Sequence, residues 1–422
     1  MMTSKKEHVQ KSWIEIPSRS DFSLFNIPFG VFKKGEVTCG VAIGDHVLDL
    51  QGLEENGFFN DTPLAPKTFS ETSLNKFFAQ GRPVITAIRN RVIELLSESN
   101  DRLRSDTNVV AKSLHRRNEV EMKLPVVIPN YTDFYSSEEH AINVGSIFRD
   151  PKNPLLPNWK HLPVGYHGRA SSIVVSGTPI HRPNGQIKKA EKANPHLAAS
   201  EKLDFELEMA FISCGQTEIG HAIRTEDAEK YIAGFVLFND WSARDIQQWE
   251  YVPLGPFLGK NFASTVSPWV VTLDALEYFR CDGPSQEPPV LPYLKTQGSK
   301  NFDIQLQVCV SAQSFDTVTL CRSNFKYMYW NVNQQLAHHT VNGCNIMVGD
   351  LFASGTISGP SPGSFGSLLE LSWNGEKKLN MPDGTVRTFL EDGDNITLTA
   401  YAEKDGVRVG FGECSGTILP AK

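Results

Sequence analysis

The sequence predicts a mainly β protein of the α+β class, with a large β-rich portion behind a smaller N-terminal one. Three observations predict it. Two-residue alternation of apolar and polar side chains recurs in the second half, most cleanly over residues 302–308. The connecting loops there are long and rich in proline and glycine, over 182–199, 281–292 and 358–366. The clearest helical spacing falls in one early segment, after Pro83, where Val84, Ile85, Ile88, Val92, Leu95 and Leu96 share a stripe.

Taken in order, residues 1–125 open with short strands at Gly30–Phe32 and Val47–Leu50, followed by that helix. A polar stretch from 97 to 117 then reads as a separator between the two portions. From about 120 onward strand signals dominate, and 367–373 and 396–401 join 302–308 as predicted strands. There is no internal repeat.

Composition bounds the function. The chain has 422 residues, enough for two domains, and a formal charge of -7 gives no reason to expect nucleic acid or an anionic membrane as partner. Seven scattered cysteines without a C-x-x-C pair read as reduced thiols of a cytoplasmic protein, not a disulfide framework or zinc site. No apolar run reaches the ~20 residues of a membrane helix, and the first residues lack a signal-peptide core. The glycosylation pattern at Asn130-Tyr131-Thr132 carries no meaning in such a chain. Serine-hydrolase elbows, phosphate loops and H-E-x-x-H are absent.

The most telling run is Asp204-Phe205-Glu206-Leu207-Glu208. As a strand it would place three carboxylates on one face and apolar groups on the other. The apolar continuation Met209–Ile212 argues for an interior strand, where stacked like charges need a cation. An all-oxygen donor set selects calcium, magnesium or manganese over zinc. Asp240 ends an apolar run at the expected start of a helix, and Arg244, Gln247 and Tyr251 share one face of that helix. Ser136 with Glu139 forms a predicted capping box that puts His140 in a helix's first turn, near Asp133, Tyr135 and Arg149. Glu370, on a predicted strand, is a candidate partner for that imidazole, and Lys260 lies in a glycine-bounded loop. The adjacent pair His338-His339 has diverging rings and reads as core or surface.

Several long segments together are similar to the fumarylacetoacetate hydrolase family: Asn26–Phe32, Tyr131–Ser137, Leu162–Arg169, Asn239–Asp245, Gly255–Lys260 and Ala353–Pro360. The resemblance covers nearly the whole chain. It implies an SH3-like barrel over 19–122 and a mixed β-roll over 123–422, assembled as a homodimer, with 1–18 a disordered extension. It implies metal-dependent hydrolysis of the carbon–carbon bond of 4-fumarylacetoacetate, ending tyrosine and phenylalanine degradation. Calcium ligands are then Asp133, Glu206, Glu208 and Asp240, with magnesium at Asp240, Lys260 and Ser264, where the family carries threonine. His140 becomes the general base oriented by Glu370, and Arg244, Gln247 and Lys260 hold the oxyanion. Tyr135, Arg149, Tyr166, Gln247, Tyr251 and Thr356 match substrate contacts, while Asp204 falls outside the ligand set. A related diketo-acid hydrolase and a calcium-stabilised binding module are the competing expectations.

Overall fold

A computed structural model describes residues 11–422. The first ten residues of the expected extension lie outside them, and the remainder of that extension is packed. Ser12 bridges to Ser97, the Trp13 indole donates to the Leu95 carbonyl at 2.9 Å, and Ile14 is buried. Packing of Trp13 and Ile14 against the long helix explains why the chain is ordered there.

The N-terminal portion is built on a five-stranded antiparallel sheet of β1 (Phe29–Lys34), β2 (Glu36–Ile43), β3 (His46–Asp49), β4 (Leu114–Arg116) and β5 (Glu121–Lys123), in the order β4-β3-β2-β1-β5. The helix after Pro83 forms as expected, as α1 (Arg82–Leu96), burying Ile85, Ile88, Val92, Leu95 and Leu96. The stretch 97–117 is no separator. It holds a helix, Thr107–Ser113, whose start is capped by the Asp106 carboxylate, and then β4, which completes the sheet.

The C-terminal portion is built on a second sheet. Its strands are β6 (Tyr131–Phe134), β7 (Gly165–Gly168), β8 (Ile173–Val175), β9 (Leu207–Ser213), β10 (Ile232–Asn239), β11 (Ser264–Val266) and β12 (Leu351–Ala353). Their order is β7-β6-β12-β9-β10-β11-β8, with the two-residue strand Val271–Thr272 also pairing with β10. The outermost strands β7 and β8 are joined by only residues 169–172, so Gly168 and Ile173 can lie at most about 18 Å apart. The sheet therefore rolls until its edges nearly meet.

One face of this roll carries Met209, Phe211, Phe235 and Leu237 into a core shared with a five-stranded sheet that includes Gln305–Ala312, Asn395–Lys404 and Val407–Leu419. The other face carries Ala210, Ile212, Val236 and Phe238 into the core shared with the N-terminal sheet and α1. The carboxylates occupy the end of this second face.

Three further sequence expectations change. Residues 302–308 split between Asn301–Phe302 and the strand Gln305–Ala312. The loop 182–199 contains a hairpin, Asn184–Ile187 with His196–Ala199. Residues 367–373 are not a strand: Leu368–Leu371 is a helical turn, because the distant Asp204 carboxylate accepts the Leu368 and Leu369 amides at 2.7 and 2.9 Å. All seven cysteines are free, and no helix among the described residues is long and apolar enough to cross a membrane.

Candidate active site

The acidic run is not one continuous strand. Leu203–Asp204 pairs with Ser242–Ala243, Glu206 bridges to Ser367, and regular pairing starts at Leu207. The alternation nevertheless holds: Phe205, Leu207 and Met209 enter the apolar core, and all three acids are buried. Register assembles the rest. Asp133 on β6 lies beside Ala353 of β12, whose other neighbour is Ala210 of β9, and Glu208 faces Phe238 of β10, two residues before Asp240. Asp133, Glu206, Glu208 and Asp240 thereby each bring one oxygen within 4.8 Å of the others. Asp204 is kept apart. It accepts the Arg244 Nε at 2.9 Å and caps the turn Leu368–Leu371, a buried structural role away from solvent.

Two buried cations answer part of this charge. Lys260 donates to Glu206 and, at 2.7 Å, to Asp240; Arg244 donates to Glu206 at 2.7 Å. The result is uneven. Burial alone would raise the Glu206 carboxyl, but Lys260 and Arg244 hold it well below its usual range. Burial and then the charge of Asp240 push Asp133 far up, and burial with Asp133 does the same to Glu208. Asp133 Oδ1 and Glu208 Oε1 have no hydrogen-bond partner. Buried, unpaired carboxylate oxygens that cannot comfortably ionise are what a hard divalent cation corrects, so the residues present fit one. Gly355 shapes this wall: its amide donates to Glu208 at 3.1 Å, and a Cβ there would stand 2.2 Å from the Phe134 carbonyl.

Asp240 does not cap the helix that succeeds it. That helix, α3 (Arg244–Glu250), begins at Arg244, and Asp240 instead accepts from Ser264 at 2.7 Å and Tyr166 at 3.2 Å as well as from Lys260. The Lys260 ammonium cannot ligate a metal, so of the atoms expected at a second cation only its backbone carbonyl could serve. Gln247 stands one turn along α3 from Arg244, with its carbonyl oxygen 3.4 Å from the guanidinium, and the Arg244 NH2 group has no partner.

Helix α2 (Glu138–Phe148) positions the imidazole. Its cap is Ser137, which accepts the His140 amide at 3.3 Å, and not Ser136, whose hydroxyl accepts from Gln335. His140 Nδ1 donates to Glu370 Oε2 at 2.8 Å, so Nε2 is the nitrogen free to take a proton. The Tyr135 ring packs edge-on at 5.2 Å. Glu370 is saturated: Asn143, Ser358 and Ser367 also donate to it, each at 2.8 Å. Burial opposes its charge, but His140 and these donors win and lower its pKa. Sequence reasoning does not single out any of these three donors. Two signals for them exist: Asn143 lies one helical turn past His140, and Ser367 with Glu370 has capping-box spacing.

The remaining residues divide. Thr356 is buried with an unpartnered hydroxyl, and Tyr166 joins the acidic cluster. Arg149 is exposed, donating to the Pro154 carbonyl, and Tyr251 is half exposed at the end of α3. His338 and His339 are on the helix Val332–Thr340, bound to Tyr293 and packed on Phe352 respectively.

A profile described as the fumarylacetoacetate (FAA) hydrolase C-terminal domain matches residues 130–419, and one for the fumarylacetoacetase N-terminal domain matches residues 25–125. The chain belongs to the fumarylacetoacetate hydrolase family. A fumarylacetoacetase from Arabidopsis thaliana is 50% identical over 416 residues, 97% of this chain and 99% of its own. One from Homo sapiens matches at the same identity and coverage. The structure of a fumarylacetoacetate hydrolase from Exiguobacterium antarcticum superimposes with a TM-score of 0.52 at 17% identity, covering 94% of this chain and all of that one. The last likeness establishes the shared family fold.

Proposed function

We propose that this chain hydrolyses 4-fumarylacetoacetate to fumarate and acetoacetate, the last step of tyrosine and phenylalanine degradation. The observation that carries the reading is the pairing of an under-neutralised carboxylate cluster with a saturated His140–Glu370 pair, in a chain half identical to proteins named fumarylacetoacetase.

Asp133, Glu206, Glu208 and Asp240 would hold calcium, and Asp240, the Lys260 carbonyl and Ser264 a magnesium ion. A divalent cation there supplies fixed positive charge to the oxygens of a β-diketo acid. His140 takes a proton from water through Nε2 while Glu370 stabilises the imidazolium, and the hydroxide adds to the carbonyl carbon beside the bond to be cut. The free NH2 of Arg244, together with Gln247 and Lys260, offers donors to the tetrahedral oxyanion, each worth about 3–4 kcal/mol. The carbon–carbon bond then breaks, the fumaryl carbon becomes a carboxylic acid, and the leaving acetoacetate carbon takes up the proton that the His140 imidazolium gives back. Tyr135, Tyr166 and Thr356 line the inner part of the site, and Arg149 and Tyr251 its exposed rim. The protein would act in the cytoplasm as a homodimer.

The test is turnover of fumarylacetoacetate by purified protein, with and without chelator. Loss of the diketone absorbance that stops on chelation supports the reading. Binding without turnover, or faster turnover of another diketo acid, overturns it.

A further inference from the structure

The roll is not fully closed. At the seam between β7 and the chain entering β11 lies a cavity of about 310 Å³, lined by Tyr131, Tyr166, Arg169, Phe257, Lys260 and Asn261 among others. Tyr166 and Lys260 belong to the acidic centre, so the cavity approaches that centre from the seam.

Tyr131 is its least explained wall. It is 3% exposed, its ring packs 5.2 Å from Phe238, and its hydroxyl has no partner. A buried hydroxyl without a partner lowers stability, and phenylalanine would fill the same space without that cost. The backbone is nevertheless arranged around this ring. Tyr131 pairs across the sheet with Gly168, where a Cβ would lie 2.2 Å from the ring. Tyr131 and Asp133 are two residues apart on β6 and share a face of the strand. Around the same cluster, Asp133 Oδ1 and Glu208 Oε1 are also unpartnered.

We propose that the Tyr131 hydroxyl is a positioning group of the acidic centre, hydrogen-bonded to a water or ligand oxygen belonging to the bound cation's shell. This rests on the reading of the four carboxylates as a cation site. It adds a fifth, uncharged residue, reached from the seam, to the groups that orient what the cation carries.

Tyr131→Phe separates the two roles a buried hydroxyl can have. Metal-free wild type and variant are titrated with Ca2+ by calorimetry and with Tb3+ by luminescence, with lifetimes in H2O and D2O counting ion-bound waters. The expected result is cation affinity weaker by about 10–100-fold, a changed water count, and a metal-free Tm equal to or above wild type. Equal affinity and equal lifetimes overturn the inference. So does a lower metal-free Tm, which would show that the hydroxyl serves the fold itself. Absence of cation binding by wild type would defeat the cation-site reading and this inference with it, and is visible before any variant is made.

Discussion

Two sets of buried carboxylates lie side by side in this protein, and the fold treats them in opposite ways. Glu370 receives protein donors from His140, Asn143, Ser358 and Ser367, and is held ionised. Asp133 and Glu208 receive few, keep an unpartnered oxygen each, and are pushed toward their neutral forms. The first group is finished by the protein alone, as its proposed part in a proton-transfer pair requires. The second is unfinished without a ligand. Burial is common to both; what differs is whether the chain itself provides the compensating donors.

On that contrast, the largest effect belongs to the finished pair. His140→Ala removes the base, and kcat falls by about 10²–10⁴-fold. Glu370→Gln keeps the shape but loses the charge that stabilises the imidazolium, so kcat falls in the same direction while calorimetric cation affinity is unchanged. Near-normal turnover in either variant would break the assignment. Next comes the proposed oxyanion contact. Gln247 is half-buried and uncharged, and it ligates none of the four clustered carboxylates, so Gln247→Ala isolates one donor. Its kcat should drop by about 10²–10³-fold with KM little affected.

The legibility of these two groups in the sequence also differs. Alternation alone puts Glu206 and Glu208 on a face opposite the apolar core, because a strand's side-chain period is insensitive to what lies far away. The Glu370 environment reads as a strand and is not one. Leu368–Leu371 is helical because, in addition to the local Ser367 cap on the Glu370 amide, Asp204, far away in sequence, accepts its first amides. In the sequence that carboxylate looks like a third member of the acidic ladder, and local pattern cannot show that Arg244 and these amides claim it. The N-terminal strands and α1 are legible because glycine punctuation and a helical stripe are local signals. The helix and strand within 97–117 stay hidden because polar residues at a surface look like a linker.

The unfinished cluster should respond to cation and to pH together. Saturating cation at a hundredfold its Kd adds about 2.7 kcal/mol of stability, read as a rise in Tm that chelator abolishes. The sign with pH comes from the raised carboxyls. In metal-free protein the folded state holds protons on Asp133 and Glu208 that the unfolded chain releases, so stability falls as pH rises above the ordinary carboxylate range. Cation binding in a weakly buffered solution should therefore release protons, more at lower pH. Glu370 and Glu206, held below that range, add a rise only below and within it, so a metal-free Tm that climbs with pH above it would contradict the unequal treatment of the two sets.

The smallest effect sharpens the comparison most, because it alters one polar group on each side. Ser358 Oγ donates to Glu370 and accepts the Gly366 amide at 3.0 Å, so Ser358→Ala leaves a buried N–H unpaired and Glu370 one donor poorer. Stability should fall by about 1 kcal/mol whether or not cation is present. Glu208→Gln does the reverse in metal-free protein: it replaces a carboxyl that burial keeps protonated, with no partner on Oε1, by a permanently neutral amide that retains an acceptor for the Gly355 N–H. Chelated Glu208→Gln should be at least as stable as chelated wild type, and the gain with cation should shrink. Denaturant melts of both variants, each with cation and with chelator, give four differences from wild type. Matching losses in all four would mean that the two carboxylate sets are built alike.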